Sequence, residues 1–391
     1  MKILFLEWNG YGNKDLLDAY RQLNHDVAVF PFSTKLYRDD PDYERSLAAE
    51  IRKQSPDYIF TFNHYPVVAK VCNRENIPYL SWIYDSPFVP LYSYTTIFPC
   101  NYIFIFDKEF CHEFQNNGIK TVHYLPMAAN TTRLDTMENY SGFRNSPYTN
   151  RTDISFVGSL YTEEVRSGFF NRFDHINSYT KGYLDGIMAS QKNVFGYNFI
   201  QNLLTPEIMN DLRHSCPVET NYDGVESEEY IYAQYFINRH ITAMERTEII
   251  QYIAKYFPMD LYTVADGFSW DNVTLHKPVD YYNIAPYVYK CSKINLNISL
   301  RSIKSGMPLR VFDIMGAGGF LLSNFQSDFL DYFTPGDDFA FYDSKQDLIT
   351  KIDYYLHNDL ERQQIAASAH KKIQEKHTFM HRIQEMESYL P

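Results

Sequence analysis

Cysteine is scarce. Cys72, Cys100, Cys111, Cys216 and Cys291 are the five in 391 residues, odd in number and with no C-x-x-C pair. That excludes a disulfide framework and a cysteine zinc site, and it suits a reducing, cytoplasmic compartment. No apolar run approaches the length that crosses a bilayer. The opening MKILFLEW meets a charge at Glu7 and reads as a first strand, not a leader. Peripheral membrane contact and self-association stay open. Basic side chains are outnumbered, 36 against 48, for a net charge of −12, and they form no dense cluster. Nucleic acid is therefore excluded as the main partner. There is no G-x-S-x-G, no P-loop lysine after a glycine run, and His112-Glu113 lacks the second histidine of a zincin, so hydrolase and kinase readings have no support.

Metal sites are not expected. Asp40-Pro41-Asp42 spells D-x-D, but Asp40 is placed to cap a helix beginning at Pro41. His377 and His381 have i,i+4 spacing in a helical region, where packing or capping is the simpler role. Aromatics are plentiful, with 34 Tyr and 29 Phe. Their even spread reads as biased codon usage, not a carbohydrate-stacking surface.

The length calls for two domains. Over 1–148, strands at Lys2–Leu6, Asp26–Phe30, Tyr58–Phe62, Tyr79–Ile83, Tyr102–Phe106 and Thr121–Tyr124 alternate with helical patterns, which predicts a parallel sheet wrapped by helices. Thr131–Arg151 is polar and reads as a linker. A second alternating region spans 149–375, opening at DISFVGSLY and interrupted by a mainly helical insertion at about 163–248. Strands resume at Met259–Val264, Asn272–Leu275, Ile294–Ser299, Phe320–Ser323 and Phe339–Tyr342. A helical stretch closes the chain from Lys345 to Tyr389, and residues 376–391 are expected to pack back on the first domain.

Ser305 to Asn324, SGMPLRVFDIMGAGGFLLSN, carries the most chemistry. Pro308 suits a first helical turn. Arg310 and Asp313, three apart, share a face near a helix N-terminus, where a diphosphate is readily held. Asp313 could accept ribose hydroxyls; the plain alternative is a surface ion pair between the two. Gly316, Gly318 and Gly319 end the helix and permit close backbone approach. In the first domain Asp85, in WIYDSPF, and His64, in FTFNHYP, each follow a strand and are rival general bases, with Glu7 a weaker third. An Asx turn or cap is the plain alternative for Asp85.

The segment HKPVDYYNIAPYVYKCSKINLNISLRSIKSGMPLRVFDIMGAGGFLLSN resembles the C-terminal domain of the CgeB-like (spore maturation protein-like) bacterial glycosyltransferases. FTPGDDFAFYDSKQDLITKIDYYLHNDLERQQIA, HTFMHR and SWIYDSPF resemble further parts of the same family. The resemblance implies an α/β GT-B fold, two Rossmann-like doubly wound domains facing a cleft. It implies nucleotide-sugar binding by Gly158, Ser159, His276, Arg310, Asp313, Gly318 and Gly319, with His276–Tyr282 lining the base and ribose pocket. The expected activity is metal-independent transfer of a hexose from a nucleotide-diphosphate sugar, a UDP-sugar by preference, to a protein or surface-glycan acceptor, with no cofactor. Where retaining GT-B transferases place a carboxylate against the donor sugar, this chain has Lys304-Ser305-Gly306. The alternatives are a nucleotide-sugar epimerase of the same fold and a non-catalytic partner subunit of a transferase.

Overall fold

The structure, a computed structural model, describes the chain except residues 9, 34–37, 138–152, 163–169 and 265–268. Two six-stranded sheets, each wholly parallel, form its frame. The first runs in the order β2-β1-β3-β4-β5-β6, with β1 Lys2–Glu7, β2 Asp26–Pro31, β3 Tyr58–Phe62, β4 Tyr79–Ile83, β5 Asn101–Ile105 and β6 Val122–Tyr124. Every residue of β3 and β4 is buried. That follows from helices lying on both faces, and it is why these strands read as unbroken apolar runs. Asp40 caps the helix Pro41–Gln54 by accepting the Tyr43 N–H at 2.8 Å, so the D-x-D string serves a helix end.

The second sheet runs β12-β11-β10-β7-β8-β9, with β7 Ile154–Val157, β8 Met259–Tyr262, β9 Val273–His276, β10 Ile294–Asn297, β11 Leu321–Asn324 and β12 Ala340–Tyr342. The order reverses between β7 and β10, as it does between β1 and β3 in the first sheet. Ligands of doubly wound sheets sit beyond the strand ends at such reversals. Between β7 and β8 lies the insertion, built on Ser178–Gln191, Pro206–Ser215 and the continuous helical run Glu228–Ile231, Tyr232–Ile237 and Asn238–Ala254. It has a core of its own, including Leu184, Ile208, Leu212, Tyr232, Phe236 and Ile241. Tyr232–Ile237 is a π turn, a feature concentrated at functional sites.

Several boundaries differ from expectation. The presumed linker opens with a helix, Thr131–Thr136, and from residue 138 onward it falls outside the described residues. An unanticipated helix, Ala285–Cys291, connects β9 to β10. The closing stretch breaks into Lys345–His357, Asp359–Lys376 and Phe379–Glu387. The last of these packs on the first sheet: Phe379 meets the Trp82 ring edge-on at 5.9 Å, and the Tyr58 hydroxyl donates to Glu387 at 2.8 Å. Among the described residues no helix is long and apolar enough to cross a membrane.

Candidate active site

At the reversal of the second sheet, β7 runs into Gly158, whose N–H donates to Tyr262 O at 2.9 Å. A Cβ at this position would stand 2.3 Å from Nη2 of Arg310, so the glycine is what lets the guanidinium lie on the loop. Arg310 occupies the first turn of the helix Leu309–Gly316, with Pro308 at its N-cap in extended backbone. Its Nη1 donates to Asn297 Oδ1 at 3.1 Å, and its guanidinium lies 4.9 Å over the Phe156 ring. A second arginine arrives from the helix Asn238–Ala254. Arg246 donates to Ile298 O at 3.1 and 2.6 Å and to Ser159 O at 2.6 Å, bridging the loops after β10 and β7. Among the described residues, the hydrogen-bond partners of both arginines are an amide oxygen and backbone carbonyls. Burial, with Arg310 as neighbour, pulls Arg246 down to about 10, which leaves it charged at neutral pH. Arg239 lies 5.5 Å over the Tyr161 ring, which Arg246 approaches at 5.2 Å. The Ser159 hydroxyl accepts the Tyr161 N–H at 2.8 Å and so closes the turn. Gly158, Ser159 and Arg310 thus meet at one point and form a positively charged cradle.

Asp313 does not pair with Arg310. It is 8% exposed and accepts a hydrogen bond from the Tyr281 hydroxyl at 2.9 Å. Burial first, then the charge of Asp15, raise its carboxyl to about 7, while the Tyr281 bond, Arg133 and Arg310 pull the other way. The Tyr84 hydroxyl nearby is buried with no hydrogen-bond partner among the described residues. It faces Gly12, where a Cβ would stand 3.2 Å from it. Gly12 has φ +86° and begins the helix Asn13–Gln22. The same helix supplies Asp15, gripped by Arg133 at 2.7 and 3.1 Å. Arg133 also donates to Tyr282 O at 3.1 Å, and the Tyr11 and Tyr281 rings lie 4.9 Å apart. Here the two halves of the molecule touch across the cleft.

Asp85 lies on the opposite wall. Asn63, in left-handed backbone at φ +63°, donates to Asp85 Oδ2 at 2.8 Å. Asn63 Oδ1 accepts the N–H groups of Tyr84 and Asp85 at 2.9 and 3.2 Å. The Asp85 side chain remains open to solvent, yet the surrounding protein crowds it enough to raise its carboxyl above the ordinary range. The Asn63 bond and the facing Arg239 temper that rise. A water-accessible carboxylate at the bottom of a crowded cleft accounts for both observations.

His64 departs from expectation. It is 0% exposed, stacks on Tyr79 at 5.2 Å, and places Nδ1 3.2 Å from Ser81 Oγ. Burial pushes its imidazole down to about 3. It presents no surface to the cleft and stays neutral. Glu7 is exposed at the end of β1. His276 is held by Asp260, Nε2 to Oδ1 at 2.7 Å, and stacks on Tyr262 at 4.4 Å. That fixes it at the edge of the sheet, and the loop after it carries Tyr281 to Asp313. Gly318 and Gly319 need a different role. Gly318 turns the chain at φ +75° past the C-terminal end of the Leu309–Gly316 helix, and a Cβ at Gly319 would lie 2.7 Å from Tyr289 O. Both sit at the far end of that helix from Arg310, where they stop it and admit the following strand.

At the other end of the cleft, Asp107 accepts the N–H of Lys304 at 2.6 Å and the hydroxyl of Ser305 at 3.1 Å. Ser302 Oγ donates to Ser86 O at 3.0 Å. The Lys304–Gly306 segment therefore anchors one half to the other, and a Cβ at Gly306 would lie 2.9 Å from the Asp107 Cα. Of the histidine pair, His381 completes a capping box with Thr378, and His377 lies 2.5 Å from Arg382 Nη2. Among the described residues no group of three or more His, Cys, Asp or Glu could hold a metal ion. Arg246, Arg239, Tyr84, Arg133 and Gly12 were not anticipated, whereas Tyr281 falls in the expected His276–Tyr282 stretch. Only Gly12, in a Gly-Tyr-Gly loop straight after a strand, had a local signal.

A family model described as glycosyl transferase-like matches residues 244–388. No curated protein matches the chain in sequence. Solved structures match along its whole length. Sucrose-phosphate synthase of Thermosynechococcus elongatus superimposes with a TM-score of 0.55 at 10% identity, over 99% of this chain and 98% of that one. HepE of Anabaena in complex with UDP-glucose gives 0.53 at 9%, over 100% and 99%. The UDP-forming α,α-trehalose-phosphate synthase of Burkholderia vietnamiensis gives 0.51 at 13%, over 99% of both chains. The shared architecture is GT-B: two Rossmann-like domains flank a cleft, and this chain adds a helical insertion in its C-terminal half.

Proposed function

We propose that the chain is a glycosyltransferase that moves a hexose from a UDP-sugar to a hydroxyl of a protein or glycan acceptor without a metal ion. The observation that carries this is the meeting of Gly158, Arg310 and Arg246 at the β7–β10 reversal, with Asp85 facing Arg239 across the cleft. Departure of a nucleoside diphosphate builds negative charge on its terminal phosphate. Fixed guanidinium groups in a partly dry site stabilise that charge without reorganising. Asp85 takes the proton from the acceptor hydroxyl as its oxygen attacks the anomeric carbon. A raised carboxyl pKa makes it a better base, provided it is ionised at the working pH. Asp313 and the orphan Tyr84 hydroxyl receive the ribose or sugar hydroxyls, with Tyr281 yielding its bond to Asp313. His276 and the loop following it flank the base.

Structural relatives crystallised with UDP or UDP-glucose support the choice of nucleotide, and the motifs around Ser305–Asn324 support the finer kinship with CgeB-like transferases. Incubation with a panel of nucleotide sugars, with and without Arg310→Ala, tests the proposal. Release of UDP from one sugar, lost in the variant, is the expected result. Conversion of a sugar to its epimer, or no nucleotide binding at all, would overturn it.

A further inference from the structure

A cavity of about 880 Å3 lies away from the arginine cradle, between the first domain and the helical insertion. One wall is the face of the helix Lys108–Asn116 and its C-cap, bearing Glu109, Glu113 and Asn117 at i, i+4 and i+8, with Tyr94 and Ile97 beside it. The other is the insertion, which contributes Tyr197, Asn198, Gln201, Asn202 and, from the π turn, Gln234. Both walls are fixed. Val225 N donates to Tyr92 O at 3.0 Å, the Ser93 hydroxyl donates to Asp223 at 2.7 Å, and Asn198 holds Asn238 Oδ1 at 2.9 Å and Arg301 O at 2.8 Å. The groove adjoins the catalytic wall, because Ser86, next to Asp85, is bonded to Ser302, and Val89 N donates to the Tyr235 hydroxyl at 2.7 Å. Tyr94 is 49% exposed and Tyr197 is 60% exposed.

From this lining we infer that the groove binds the non-reacting sugars of a neutral oligosaccharide acceptor. The inference rests on the transferase reading and specifies its acceptor. Besides Asn198, which is spent on the wall, four side-chain amides (Asn117, Gln201, Asn202 and Gln234) line the groove with donors and acceptors for sugar hydroxyls. Exposed tyrosine rings offer flat apolar faces for the C–H faces of pyranoses. Lys304 pairs with Glu113, which leaves Glu109 as the surplus charge among the carboxylates and lysine of the lining, so an anionic glycan is disfavoured. The volume falls in the range of small-molecule sites, about 300–1,000 Å3, enough for several sugar rings but not for a folded protein.

The test uses the full chain and two separate readouts. Binding of cello-, manno-, malto- and chitotetraose is measured by calorimetry, and UDP affinity is measured in parallel. The wild type should bind at least one tetrasaccharide. Tyr94→Ala combined with Tyr197→Ala should weaken it about tenfold, with UDP affinity and melting temperature unchanged. Asn117→Ala with Gln201→Ala, all on exposed or half-exposed positions, should weaken the same ligand without touching any ring. Failure of all four sugars to bind, glycan affinity indifferent to both pairs, or preference for an oligolysine peptide would each overturn the inference. Loss of UDP binding in the wild type would instead sink the transferase reading, which keeps the two failures distinct.

Discussion

The strand ends of the second sheet meet guanidinium groups: Arg310 against Gly158, Arg246 across Ser159 O and Ile298 O, and Arg239 over Tyr161. Those of the first sheet meet Asp85, braced by Asn63 and kept open to water. Two sheets of related winding therefore present opposite chemistry to one cleft. Under the proposed function this is a division of labour: one half would receive negative charge, the other a proton.

Removing the base should have the largest effect. Asp85→Asn should cut acceptor glycosylation by about 10²–10⁴-fold while leaving UDP affinity unchanged, as read by product formation and calorimetry. The wild-type rate should fall as pH drops through the raised carboxyl pKa, and the variant's residual rate should show no such limb. Arg310→Ala breaks the other side and should cost about 10²–10³-fold in turnover, this time with weaker UDP binding. Gly158→Ala sharpens the point, because it removes no charge. Its Cβ displaces the guanidinium, and misplacement by about 1 Å is enough for a loss of about 10²-fold. Unchanged turnover there would show that the position of Arg310 does not matter.

Smaller effects come from the groups between the two walls. Asp313 has a folded carboxyl pKa near 7, above its ordinary value. Protonation therefore favours the folded state. Stability from this group is full below about pH 4 and is lost as pH rises through 7. Asp313→Asn should flatten that segment of the melting-temperature profile. Uridine, which carries no titrating phosphate, should bind more tightly from pH 6 to 8 in the wild type as Asp313 ionises, but not in the variant. Smallest of all, His64→Gln should leave kcat within about twofold while lowering the melting temperature, since a buried neutral imidazole is lost from the core. A large loss of kcat would restore His64 as the rival base.

Much of the frame was legible because it is local. β3 and β4 announced themselves as buried apolar runs, Asp40 as a cap, and Arg310 as a residue at a helix start. The glycines show where local reading misleads. Gly158 and Gly319 each exclude a Cβ, but only the fold reveals that one faces a guanidinium and the other a carbonyl behind the helix. Arg246 lies mid-helix, more than 60 residues from Arg310 in sequence, and no spacing could relate them. The tyrosines carry a similar lesson. An even spread along the chain does not imply an even spread in space, and Tyr94 and Tyr197 end on facing walls of one groove.

The placing of Phe379–Glu387 on the first sheet reaches beyond the site. Phe379 covers Trp82, Tyr389 packs on Phe104 at 5.4 Å, and Glu387 closes on Tyr58 and His25. During synthesis the first sheet thus remains without part of its cover until Phe379–Tyr389 leave the ribosome. A gene cut at the boundary between the sheets would not yield two self-sufficient pieces. Its first product would expose an aromatic patch that belongs under Phe379–Tyr389, and adding a peptide of that segment in trans should restore its solubility.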